Sequence, residues 1–239
     1  MKRPLLFSAL VLLMLGCSSA GAQSPLDQIL GKITGKSSTL SQDKIGAGLK
    51  QALQISTGKA VAQTGRPDGF LKNEAIKILL PDKLRTADRT LRMVGMSSQL
   101  DQLEIGMNRA AEQATPQAKQ IFLNALAQMT IDDARRILSG GDTAATEYFR
   151  QKSSTDLAAA FTPIVHQSLE NVGVVQQYNR VRRNPLAASA LQRFDLDNYV
   201  VGKTLDGLFY VLGQEETQIR HNPAAQTTAL LRQVFGGKK

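Results

Sequence analysis

The stretch TIDDARRILSGGDTAATEYFR, Thr130–Arg150, reads as a helix, a glycine corner and a second helix. Thr130 is a side-chain acceptor at an N-cap, and Asp133, three residues on, can reach back to complete a capping box. Asp132 and Asp133 sit in the first turn, where the helix dipole favours negative charge. Ile131, Ala134 and Leu138 recur at helical spacing and form an apolar stripe. Asp132 and Arg136 are four apart and can pair on the outer face. Gly140 and Gly141 allow a left-handed close, and Asp142 or Thr143 can cap the second helix. That helix sets Ala144, Ala145, Tyr148 and Phe149 against Glu147, Arg150 and Gln151.

Outward from this hairpin the same grammar repeats. Ser41 opens a helix carrying Ile45, Leu49, Ala52, Leu53, Ala60 and Val61 that stops at Gly65; Gly46, Gly48 and Gly58 within it allow close approach of another helix. Gly65-Arg66-Pro67-Asp68-Gly69-Phe70 is a turn whose Phe70 and Leu71 plug the core. Ile76–Leu80 is a lone extended pass, since a single strand has no partner. Pro81 begins a helix with Leu84, Leu91 and Val94 inward and Gly95 at its close. Ser97 or Ser98 opens the next, burying Leu100, Leu103 and Met107. Thr115-Pro116 pairs a cap with proline at the first helical position, ahead of Ile121, Phe122, Ala125 and Met129. Ser154 or Thr155 starts a further helix, kinked or restarted at Pro163 and ended by Gly173. Val174–Arg183 follows, stopped by Asn184-Pro185. Asp195 caps a long helix with an i,i+4 pair at Glu216 and Arg220, and a last helix runs to about Phe235. The reading is all-α: one compact multi-helix domain at 41–239, with roughly nine or ten helices and no substantial sheet.

The N-terminus reads as an export signal over 1–16. Lys2 and Arg3 precede the apolar run Leu5–Leu15, which is too short for a mature span. Met14-Leu15-Gly16-Cys17 matches a lipobox in which Cys17 is acylated. Ala20-Gly21-Ala22 matches ordinary signal peptidase, with cleavage after Ala22. Residues 17–40 are a tether and linker. Cys17 is the only cysteine among 239 residues, so no disulfide forms within one chain. The expected place is the periplasm, anchored to the outer membrane, with a soluble periplasmic protein as the alternative.

The formal net charge is +9, and removal of 1–16 lowers it by the two units of Lys2 and Arg3. An exported chain rarely meets nucleic acid, so the positive surface points to anionic phospholipid, lipopolysaccharide or peptidoglycan, or to solvation alone. No cofactor or metal is expected. His166 lies four before Glu170, but zinc sites want three or four ligands. His221 reads as a C-terminal cap interacting with the helix dipole. No G-x-S-x-G elbow or Gly-rich phosphate loop is present. The adjacent acids Asp132/Asp133 and Glu215/Glu216 project about 100° apart on a helix. Residues that can line a pocket are Arg66 and Asp68 in the turn, Asp206 inside an otherwise apolar helix, Arg150, His166, and the tyrosines Tyr148, Tyr178, Tyr199 and Tyr210. The leading reading is a non-enzymatic binding module for an anionic envelope component or a protein partner. The alternative is a hydrolase-like envelope enzyme with a polar cleft around Asp206, Arg66 and His166.

GRPDGFLKNEAIKILLPDKL (Gly65–Leu84), MTIDDARRILSGGDTAATEYFR (Met129–Arg150) and LDGLFYVLGQEETQIRHNPAAQTTALLRQVFG (Leu205–Gly236) resemble the bacterial family called domain of unknown function forty-one ninety-seven. The resemblance spans about Ser41 to Gly236. It implies an exported, often lipoprotein-like, helical protein, and it carries over no catalytic residue.

Overall fold

The computed structural model describes residues 42–171, 173–191, 194–222, 225–226 and 232. Cys17, the signal and tether segments, the Ser41 cap and, apart from Arg232, the last helix to Phe235 lie outside the described residues. Among those described, nine α-helices and one 3-10 turn occur and no strand. They are α1 Gln42–Thr64, α2 Asp82–Met93, α3 Ser97–Ala114, the 3-10 turn Thr115–Gln117, α4 Ala118–Ala127, α5 Ile131–Ser139, α6 Ala144–Asn171, α7 Val174–Arg183, α8 Pro185–Leu191 and α9 Leu196–His221.

The long helices α6 and α9 lie against each other and carry the core. α3 and α4 pack on α6, and α1 packs on α9 and α4. Phe122, Phe149 and Phe209 interlock edge to face, with ring centroids 5.1 and 6.1 Å apart, and are almost wholly buried. Such pairs add to area burial because ring edges meet ring faces.

The opening hairpin forms, with corrections. Thr130 and Asp133 make the reciprocal capping box. Arg135 pairs with Asp132 and Arg136 with Asp133, rather than Arg136 with Asp132. Ile131 is exposed, and the inward stripe is Ala134 and Ile137 with Leu138 half-buried. Gly140 is extended (φ −78°, ψ 179°), not left-handed. Glycine is required there for space: a Cβ would lie 2.6 Å from Ala144 Cβ and 2.9 Å from the Arg136 carbonyl oxygen.

Five other expectations change. The two helices placed after Gly141 are one, α6, running unbroken past Ser154 and Pro163. The Ser154 hydroxyl donates to the Arg150 carbonyl four residues back instead of capping, as the Ser153 hydroxyl donates to that of Phe149. Thr115 likewise donates to the Ala111 carbonyl, so it continues α3 into the 3-10 turn and caps nothing. Val94 is exposed. Gly46 and Gly58 face open space. Gly173 does sit in the left-handed region, at φ 71°, where a side chain is strained.

Candidate functional site

The turn holding Arg66 and Asp68 opens a backbone pass, Gly65–Leu80, that belongs to no helix. Its amides and carbonyls need partners, and α3 supplies them with side chains. The Glu112 carboxylate, nearly buried, accepts from the Phe70 and Leu71 N–H groups through Oε1, each at 3.1 Å. The fully buried Asn108 side chain accepts from the Ile78 N–H and donates to the Ile78 carbonyl, both at 2.8 Å, as a neighbouring strand would. Glu104 holds Lys77 at 2.7 Å. Glu104, Asn108 and Glu112 recur every four residues, so one face of α3 reads the pass along its length. Ile76, Ile78 and Leu80 alternate inward beneath it. The Tyr199 hydroxyl donates to the intervening Leu79 carbonyl at 2.9 Å.

Asp68 is the one non-glycine residue with positive φ (65°) among those described. It is held by Lys72 at 2.8 Å and by Arg109 at 2.6 Å. Arg109 also donates to Glu112 at 2.7 Å. Hydrogen bonds from Lys72 and then Arg109 hold the Asp68 carboxyl below its usual range. Arg66 is exposed and, with Asp68, Lys72 and Glu74, lines an open recess of about 450 Å³.

The remaining candidates are placed elsewhere. Tyr148 donates to the Ala125 carbonyl, and Tyr178 to the carbonyls of Leu191 and Phe194. Burial raises the Tyr148, Tyr178 and Tyr199 hydroxyl pKa values. Tyr210 is exposed. Asp206 points outward from α9, 65% exposed, with Lys203 at 3.9 Å and Arg150 at 4.0 Å. The Arg150 guanidinium caps the Phe209 ring at 4.5 Å. His166 joins Asp197 at 2.7 Å and Glu170 at 3.5 Å, and the Asp197 hydrogen bond raises its pKa. His221 lies in the last turn of α9, as expected, and also bonds Asp142 at 2.7 Å. Arg66 is thus exposed at the turn while His166 and Asp206 are engaged by different partners, and the four tyrosines take separate positions instead of lining one cleft. Among the described residues no group of three or more His, Cys, Asp or Glu can hold a metal ion.

A second feature stands out by charge. From Asn171 to Phe194 the chain has no acid. Arg180, Arg182 and Arg183 in the last turn of α7 are all exposed. The turn after them meets the α2–α3 corner, where the Asn184 amide reaches the Met96 sulfur at 3.2 Å, and α8 packs on α2.

The model of the family described as "Protein of unknown function (DUF4197)" matches residues 39–236. The chain belongs to this family. No curated protein and no solved structure matches it. Membership in DUF4197 covers the whole helical domain and assigns no residue a role. In this DUF4197 chain, sequence reasoning missed Asn108, Arg109 and Glu112, because a polar residue on a helix face reads as solvated until its distant partner is known. It also missed the arginines of α7, for which a signal existed: a long acid-free run in a chain with 20 acids.

Proposed function

We propose that this chain is a helical binding module of the cell envelope that docks on an anionic component. Its export signal and Cys17 suit an acylated protein held at the periplasmic face of the outer membrane, each buried methylene contributing about 0.8 kcal/mol to the anchor. The observation that carries the reading is the charge on α7 and the following turn: three exposed arginines and no acid from Asn171 to Phe194. A helix C-terminus accounts for a cation in its last turn, but three without a counter-charge leave an excess field toward solvent. Anionic headgroups or polymers satisfy it.

The test is co-sedimentation of the full chain carrying Cys17→Ser, so that no acyl group contributes. Vesicles containing phosphatidylglycerol should bind it and pure phosphatidylcholine vesicles should bind it far less. Retention should fall about tenfold as salt rises from about 0.05 to about 0.3 M, because screening shortens the reach of exposed charge. Equal binding to both vesicle types would defeat the reading. Mass spectrometry of the mature N-terminus tests the anchor: a chain beginning at acylated Cys17 supports it, and one beginning at Gln23 removes it.

A further inference from the structure

The corner that carries the arginines also carries exposed apolar side chains. Met93 is 72% exposed and Val94 55%, at the close of α2; Leu186, in the first turn of α8, is 48% exposed. The Asn184–Met96 contact and the packing of α8 on α2 hold the two corners together. Arg182 and Arg183 immediately precede Asn184, and Arg89, one turn before Met93, is exposed as well. Helices α2, α7 and α8 together contain seven Lys and Arg residues against Asp82 and Asp88. Asp88 is occupied by Arg92, which also takes Asp101 of α3 at 2.8 Å, and Asp82 by Arg85. No acid is left to neutralise the α7 arginines from these helices.

We infer that this corner is a membrane-contact face, on which Met93, Val94 and Leu186 enter the headgroup region of an anionic phospholipid bilayer while Arg180, Arg182 and Arg183 engage the phosphates. The inference rests on the reading above and adds a bilayer as the partner and a depth to the contact. A soluble anionic polymer uses the arginines and has no place for three exposed apolar side chains; the interface of a bilayer takes both. Single surface hydrophobics are ordinary, and these three are set apart by sharing one corner with the uncompensated charge. No helix among the described residues is long and apolar enough to cross a membrane, so the contact is interfacial.

The test uses the full chain with Cys17→Ser, which is then free of cysteine. Single cysteines placed at Val94→Cys, Leu186→Cys and, as control, Ile131→Cys are labelled with an environment-sensitive fluorophore. Ile131 is also exposed and lies on α5, which packs on α1 and α6 rather than on α2 or α8. With phosphatidylglycerol vesicles the labels at 94 and 186 should shift to the blue and the label at 131 should not. Arg180→Gln, Arg182→Gln and Arg183→Gln together should weaken binding on the order of 100-fold at low salt, from about a factor of five for each arginine near an anionic surface. Met93→Ser, Val94→Ser and Leu186→Ser together should weaken it about tenfold and leave the protein folded, since all three are exposed. Sedimentation with vesicles while both labels stay in water would overturn the insertion and leave the anionic reading standing, as would a blue shift at 131 equal to that at 94. Failure of the unlabelled chain to sediment at all would overturn both.

Discussion

Gly140 closes α5 without a left-handed turn, yet no side chain fits there. A Cβ would press on Ala144 and on the Arg136 carbonyl, so Gly140→Ala should lower stability by about 1–3 kcal/mol through overpacking. Gly141→Ala, where a Cβ meets nothing within 4 Å, should change it little. Paired thermal melts check both. Beside it, Asp133 is held down to about 2 from 3.8, chiefly by the Thr130 backbone N–H, then by the Thr130 hydroxyl and Arg136. The folded state therefore binds that proton more weakly than the unfolded chain. The stability this supplies is present above pH 3.8 and is lost as pH falls toward 2. Carboxylate NMR titration should show Thr130→Ala moving the Asp133 midpoint upward. The capping box was legible in T-x-x-D because its partners are three residues apart. The reason for Gly140 was not, because the residue that excludes a side chain does so through the path of the next helix.

At the scale of elements, α3 matters beyond its apolar face. Glu112→Ala would leave the Phe70 and Leu71 N–H groups and one Arg109 hydrogen bond without an acceptor in a nearly closed site. A loss of about 2–4 kcal/mol in denaturant unfolding is expected. Asn108→Ala should cost about 1–3 kcal/mol by freeing both polar groups of Ile78. Glu216 plays a similar part for α6: its carboxylate accepts from the Ala145 and Thr146 N–H groups at 2.9 and 2.8 Å, while Arg220 holds it from the next turn of α9. The Glu216–Arg220 pair was legible as an i,i+4 spacing. Its task of capping a helix some seventy residues earlier was not. Two helices likewise merged into α6, because serine hydroxyls suit a cap and a back-bonded helix interior equally, and packing against α3 and α9 decided between them. The contact of α6 with α9 through His166 and Asp197 has its own pH signature. The raised His166 pKa means its contribution is full below 6.5 and fades as pH climbs through the higher folded value. His166→Gln should flatten that part of the stability–pH curve.

Over the whole molecule, the long-range question is where charge and apolar surface meet. The net charge of +9 was visible from composition. The clustering of three exposed arginines at the α7–α8 turn, beside Met93 and Val94, was not, since α2 and α7 are some ninety residues apart and are united by the packing of α8 on α2 and the Asn184–Met96 contact. The salt dependence of vesicle binding is the molecular-scale prediction. It should disappear with the three arginine substitutions while the melting temperature holds.

By itself the sequence determined the helical class, most helix boundaries, most of the inward positions of the large apolar residues (Val94 and Ile131 being exceptions) and the family. These are consequences of spacing and punctuation over a few residues, where the interacting groups are close along the chain. Only the tertiary structure decided that Arg66, Asp206, His166 and the tyrosines take separate positions, and that Asn108 and Glu112 tie down a pass of backbone. It also decided that the α2–α3 and α7–α8 corners share a face. Each depends on groups distant in sequence and brought together by core packing, which local periodicity does not encode.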